Sequence, residues 1–253
     1  MTAATLTFPD ILAARDRIAP YVNRTPVFRS RTLDELLGAR VAFKCENFQR
    51  IGAFKARGAH NAVFALAEAD AQRGVVTHSS GNHAAALALA ARNRGIPAYI
   101  VMPKNAPAPK VASVERNGGR ITFCEPTNAA REAAAAAVCA ETGGVLVHPY
   151  DNLHVIAGQG TGALELLDEE PNLDVIVAPV GGGGLLAGTA IATHAVSPRT
   201  QVFGAEPAGA DDAARSFRDG VRYPQPNPQT IADGLRTALG ELTFPIIRRE
   251  VAD

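Results

Sequence analysis

The run Asp174-Val175-Ile176-Val177-Ala178-Pro179-Val180-Gly181-Gly182-Gly183-Gly184-Leu185 sets the architecture. Its first seven residues are mostly β-branched or small and apolar, as expected of a strand in a parallel sheet with covered faces. Leu185 to about His194 reads as a helix and Gln201-Val202-Phe203-Gly204-Ala205-Glu206 as the next strand, so the segment is a βαβ unit. Four glycines stand between strand and helix. They let the backbone turn tightly and aim several N–H groups at one anion, while the helix adds the positive end of its dipole. A phosphate is the natural ligand of such a loop, and an ordinary tight turn is the plainer alternative. Gly182-x-Gly184-x-x-Ala187 also matches a dinucleotide fingerprint, with Glu206 placed as a ribose-binding acid.

Upstream the alternation repeats. Val75-Val76-Thr77-His78, Ala98-Tyr99-Ile100-Val101-Met102, Arg120-Ile121-Thr122-Phe123-Cys124 and Val145-Leu146-Val147-His148 read as strands, separated by helices near 84–93, 110–117 and 129–141. Residues 74–148 are therefore expected to form a small domain, and 1–73 with 149–253 a large, discontinuous one. In the latter, helices are predicted over 11–21, 53–66 and 160–167, and a strand over 41–46.

The totals exclude several classes. With 25 Lys plus Arg against 25 Asp plus Glu, the chain has no overall pull toward nucleic acid or an anionic membrane. Its 47% hydrophobic and 20% charged residues are those of a folded globular protein. Cys45, Cys124 and Cys139 lack C-x-x-C spacing, which argues against a disulfide framework or a zinc knuckle. The N-terminus has no basic start before an apolar run, and no apolar stretch is long enough to span a bilayer, so a cytoplasmic location is expected.

Three further segments carry chemistry. Thr77-His78-Ser79-Ser80-Gly81-Asn82-His83 joins the C-terminal end of a parallel strand to a helix, where free N–H groups and short polar side chains converge on a ligand. Helix capping by Ser80 or Asn82 is the plainer role. In Gly52-Ala53-Phe54-Lys55-Ala56-Arg57-Gly58, Lys55 falls at a loop-to-helix junction. A lysine is badly placed against the positive end of a helix unless its amine is neutral or bonded to carbon; a solvated surface lysine is the alternative. In Gly204-Ala205-Glu206-Pro207-Ala208-Gly209-Ala210-Asp211-Asp212, carboxylates and a backbone carbonyl suit a hard divalent cation, or an Asp caps a helix over 213–217. His60, His148, His154 and His194 share no metal-ligand spacing and read as packing or surface residues.

Taken together, Glu46-Asn47-Phe48-Gln49, Gly52 to Ala59, Ser79-Ser80-Gly81-Asn82-His83, Gly158-Gln159-Gly160-Thr161, Gly181 to Leu185 and Ile231-Ala232-Asp233-Gly234 resemble the fold-type II pyridoxal-phosphate enzymes, in the threonine/serine dehydratase and serine racemase branch. The order is the family's across nearly the whole chain, and it displaces the dinucleotide alternative. The resemblance implies an α/β fold of two open twisted, mainly parallel sheets flanked by helices, like the tryptophan synthase β chain. It makes Lys55 the Schiff-base lysine and Gly181, Gly182, Gly183, Gly184 and Leu185 the phosphate cradle. Phe54 is implied to pack on the cofactor ring and Asn82 to bond its phenolic oxygen. Ser79, Ser80, Asn82 and His83 are implied around the substrate carboxylate, with help from Arg131. Ser80 takes the place of the racemase's second acid/base. Glu206, the carbonyl of Ala210 and Asp212 fall on the positions that bind Mg²⁺ or Mn²⁺.

The implied reaction is dehydration of L-serine, L-threonine or a related β-hydroxy amino acid to a 2-oxo acid and ammonia, with amino-acid racemisation as the alternative. A homodimer and a small amino-acid substrate come with the family. Two departures stand out. The family continues beyond this C-terminus with a Ser-Gly-Gly-Asn segment that meets the pyridine nitrogen, so a truncated chain that binds cofactor without turnover is a further expectation. Ala84-Ala85 also replaces the glycine and glutamine of many relatives.

Overall fold

A computed structural model describes residues 5–79 and 81–253. The N-terminal elements are α1 (Phe8–Ile18), β1 (Val27–Arg29), α2 (Arg31–Leu37), β2 (Ala42–Lys44), α3 (Lys55–Phe64) and α4 (Glu68–Ala71). An alternating block follows: β3 (Val75–His78), α5 (Asn82–Arg94), β4 (Ala98–Pro103), α6 (Ala108–Arg116), β5 (Arg120–Cys124), α7 (Asn128–Thr142) and β6 (Val145–Leu146). The chain closes with α8 (Leu153–Glu169), β7 (Val175–Pro179), α9 (Gly184–Val196), β8 (Gln201–Ala205), α10 (Asp212–Asp219) and α11 (Thr243–Glu250).

The alternating block forms one parallel sheet in the order β5-β4-β3-β6, with Val75 opposite Ala98 and Val76 opposite Leu146. β7 and β8 form a second parallel pair, and β1 and β2 an antiparallel one. The expected α/β fold with parallel sheets flanked by helices is thus observed. Central β3 is buried at Val75, Val76 and Thr77, as its apolar composition requires. β7 departs from the expectation of two covered faces: Ile176 and Ala178 are buried, whereas Val175 and Val177 on the opposite face are exposed. Its helix, α9, covers one side only.

Helix α8 begins at Leu153, seven residues before the predicted start, where Asn152 Oδ1 accepts from the Val155 amide at 3.1 Å. Gly158, Gly160 and Gly162 weaken the local helix signal, yet two of them serve close packing. A Cβ on Gly158 would lie 2.6 Å from Gly58 Cα, and one on Gly160 2.7 Å from the Gly188 carbonyl. Helices α3, α8 and α9 therefore touch backbone to backbone, which only glycine permits. The apolar core lies in two main clusters, one around Ile156, Leu186, Val202 and Ile247 and the other around Val63, Leu87, Ile100 and Met102.

Candidate active site

Lys55 is the first residue of α3. Two single turns of 3₁₀ helix precede it, and within the second Ile51 has φ 59°, the one positive φ on a non-glycine among the described residues. A β-branched residue there is strained by a few kcal/mol at most, and such strain concentrates at functional sites. The Lys55 amine donates to the Pro149 carbonyl at 2.7 Å and lies 5.3 Å from the centroid of the Phe54 ring and 6.0 Å from that of Tyr150. The other lysines of the sequence, Lys44, Lys104 and Lys110, pair with Glu165, Glu125 and Asp233 respectively. Lys55 has no carboxylate partner among the described residues. Burial pulls its amine down to about 8.

The start of α3 is anchored by Arg57, 1% exposed. Its guanidinium donates twice to Glu46 (both 2.8 Å) and twice to Glu165 (2.7 and 2.8 Å), and Lys44 joins Glu165 at 2.8 Å. These two-pronged pairs weld α3 to α8 and to the end of β2.

Gly181 to Gly184 leave β7 and enter α9, with Gly183 at φ 86°. Three of the four positions exclude a side chain, each for its own reason. A Cβ on Gly182 would sit 2.2 Å from the Tyr150 ring, one on Gly183 2.7 Å from Ile247 and one on Gly181 2.9 Å from the Gly234 carbonyl. Thr243 Oγ1 donates to the Gly182 carbonyl at 2.8 Å, fixing the loop from behind. The first-turn amides of α9, at Gly184 and half-buried Leu185, have no acceptor within the helix and suit an anion.

The third segment leaves the end of β3. Ser79 donates its amide to the Val101 carbonyl at 3.1 Å, and its Oγ accepts from Gly81 N at 3.3 Å. Ser80 lies outside the described residues. Asn82 is exposed in the first turn of α5, whose N-cap is Gly81 without a side-chain bond. His83 is 2% exposed, with Nε2 3.3 Å from the Val147 carbonyl and a buried Nδ1 that has no partner. Burial, then the Lys55 charge, holds its imidazole well below the usual range. Arg131 on α7 is half-buried and its charge acts on His78, yet its Nε has no partner. The ion pair between Lys110 of α6 and Asp233 spans the gap between the alternating block and the later chain.

Sequence reasoning missed the turn His148-Pro149-Tyr150-Asp151. Its reading of His148 as packing or surface agrees with the ring contacts, 5.6 Å from His78 and 4.6 Å from Tyr150, but passes over the place of the turn beside Lys55. Burial, reinforced by His78 and Lys55, pushes His148 down to about 4. The signal was available: the turn leaves β6 at the C-terminal edge of a parallel sheet, where ligands bind.

Of the proposed metal set, Asp212 is 3% exposed with Oδ2 unpartnered, and Ala210 is buried. The Glu206 carboxylate accepts from the Ala213 amide at 3.0 Å and the Ala214 amide at 3.2 Å, so the cap of α10 comes from Glu206 and not from an Asp.

The family described as pyridoxal-phosphate dependent enzyme matches residues 18–253. The chain belongs to the pyridoxal-phosphate-dependent enzymes. Among them it is 54% identical over 243 residues to a serine racemase of Oryza sativa, covering 96% of this chain and 72% of that one. It is 52% identical to a beta-hydroxyaspartate dehydratase of Paracoccus denitrificans, covering 98% and 78%. The structure of maize serine racemase superimposes with a TM-score of 0.97 at 50% identity, covering 99% of this chain and 76% of that one.

The residues present fit the cofactor of this family. Pyridoxal phosphate offers an aldehyde for an amine and a phosphate for a ring of N–H groups, and here an enclosed lysine without a carboxylate partner shares the Tyr150 ring with a glycine loop that leaves no room for a Cβ at three of its four positions. For a metal, no cluster of three His, Cys, Asp or Glu side chains is close enough among the described residues. Glu206 and Asp212 nevertheless crowd together: burial, with the Asp212 and Asp211 charges adding to it, pushes Glu206 up to about 7 against the amides that stabilise its charge. A divalent cation would relieve that crowding and engage the unpartnered Asp212 oxygen.

Proposed function

We propose that this chain is a dehydratase that converts L-serine, L-threonine or a related β-hydroxy amino acid into a 2-oxo acid and ammonia. The observation that carries the reading is Lys55, an enclosed amine with no carboxylate partner beside a glycine loop built for phosphate. Bound pyridoxal phosphate supplies an electron sink for the pair left on Cα when its proton departs. Lys55 takes that proton, and burial, by drawing its amine down to about 8, makes the neutral form that can accept one accessible at mildly basic pH. Gly181 to Gly184 and the Leu185 amide bind the phosphate, Phe54 lies against the ring and Asn82 bonds its phenolic oxygen. Ser79, Ser80, Asn82 and His83 hold the substrate carboxylate, with Arg131 at its edge. The β-hydroxyl leaves as water.

In this reading residues 74–148 form the small domain, and 1–73 with 149–253 the cofactor-binding domain. The protein works as a homodimer in the cytoplasm, with Mg²⁺ or Mn²⁺ held by Glu206, the Ala210 carbonyl and Asp212. A β-hydroxy dicarboxylate such as the Paracoccus relative's namesake belongs to the same substrate class, and the unpartnered Nε of Arg131 suits a second carboxylate. The racemase reading has its support in the rice and maize relatives, and it requires Ser80 to return a proton on the face opposite Lys55.

Incubation with L-serine, L-threonine and threo-3-hydroxyaspartate separates these readings. The dehydratase predicts 2-oxo acid and ammonia in equal amounts, lost in Lys55→Ala. Accumulation of D-serine without 2-oxo acid, abolished by Ser80→Ala, contradicts it in favour of the racemase.

A further inference from the structure

The turn His148-Pro149-Tyr150-Asp151 touches a different part of the site with each residue. Pro149 gives its carbonyl to the Lys55 amine at 2.7 Å. Tyr150 lays its ring on Gly182, so closely that a Cβ there would be 2.2 Å from the ring, and its backbone lies against Gly184. Asp151 accepts three backbone N–H groups from one segment: Glu241 at 2.9 Å, Leu242 at 2.8 Å and Thr243 at 3.3 Å. That segment holds the glycine loop, because Thr243 Oγ1 donates to the Gly182 carbonyl at 2.8 Å and accepts from Gly240 N at 2.8 Å. His148 closes the turn on itself, its Nδ1 accepting from Asp151 N at 2.9 Å and Tyr150 N at 3.4 Å.

We propose that residues 148–151 are a clasp that sets the spacing between Lys55 and the glycine loop, with Asp151 as its positioning residue. The proposal rests on the cofactor reading of the site, since only a ligand that meets Lys55 with one end and the glycine loop with the other feels that spacing. Asp151 touches neither end. It acts by joining the turn that carries Pro149 to the segment that carries Thr243. The anionic acceptor suits its three donors, which also open α11, at whose N-terminus a negative charge is favourable. Space at Gly240, where a Cβ would fall 2.2 Å from Asp151 Oδ1, is kept clear for the same contact.

The test compares two ligands on the full chain freed of cofactor. Pyridoxal phosphate engages both ends of the clasp, whereas pyridoxal engages Lys55 alone. Asp151→Ala is expected to weaken pyridoxal phosphate about 10- to 100-fold, the scale of a lost charge-assisted contact, while pyridoxal changes less than about twofold. Asp151→Asn, which keeps one acceptor oxygen, is expected to recover most of the loss. Thr243→Val removes the other link and is expected to show the same ligand selectivity, with the double variant no weaker than the worse single one. Equal weakening of both ligands, or unchanged phosphate-ligand affinity in Asp151→Ala, overturns the clasp. If Asp151→Ala does not fold, Thr243→Val and Asp151→Asn decide by the same criterion. Should the unaltered protein bind neither ligand, nor give a borohydride-stable product at Lys55, the cofactor reading itself fails, an outcome distinct from loss of selectivity.

Discussion

Lys55 shows how much a single side chain leaves to its surroundings. The motif around it, and its position at the start of a helix, are visible in the sequence, and so is the resemblance that makes it a Schiff-base lysine. Its lack of a carboxylate partner is not, because Lys44, Lys104 and Lys110 find theirs through residues 21 to 125 positions away. Lys44, for example, meets Glu165 of α8, a carboxylate it shares with Arg57. The depressed amine has a consequence for stability. With a folded value of about 8 below the free value of 10.5, the unfolded chain binds more protons between those limits, so the apoprotein gains stability as pH rises from 8 toward 10.5. Below pH 8 the whole penalty of the buried ammonium applies. Lys55→Met is therefore expected to be the more stable protein at pH 7, on the order of 2 kcal/mol after allowance for solvent screening, with the advantage fading by pH 10.5. Urea denaturation of the cofactor-free pair across this range checks the prediction, and a pH-independent difference contradicts it.

At the scale of elements, periodicity and turn chemistry located the strands of the alternating block and the three helices between them. They failed where glycine serves packing. The predicted helix starts at 160, yet α8 runs back through Gly160 and Gly158, where α9 and α3 lie against its backbone. The open face of β7 was equally hidden, since Val175 and Val177 have the same apolar character as buried Ile176. Arg57 holds these elements together. Its removal leaves the Glu46 and Glu165 carboxylates without their shared cation, and breaking a buried pair costs about 3–5 kcal/mol. Arg57→Met is expected to lose stability on that scale, with Arg57→Lys intermediate because an ammonium cannot serve both carboxylates two-pronged. Denaturant titration measures it; a loss under about 1 kcal/mol would sink the anchoring role.

The whole molecule brings together what the chain keeps apart. Lys55, the Ser79 to His83 turn, the 148–151 turn and the glycine loop come from four separate connections, and no helix of the described residues is long and apolar enough to cross a membrane. The glycine loop, the lysine and the Ser-Ser-Gly-Asn-His turn were legible because each carries a local signature. The 148–151 turn offered only its place after a strand at the edge of a parallel sheet, since a His, a Pro, a Tyr and an Asp have no diagnostic spacing and their roles come from the loops they join. The central claim is that these connections converge on one lysine that bonds pyridoxal phosphate. Its most direct test is borohydride reduction of the protein loaded with pyridoxal phosphate, followed by peptide mapping. One phosphopyridoxyl group per chain on the peptide bearing Lys55, absent in Lys55→Ala, is the predicted result; labelling spread over Lys44, Lys104 and Lys110, or none at all, would contradict it.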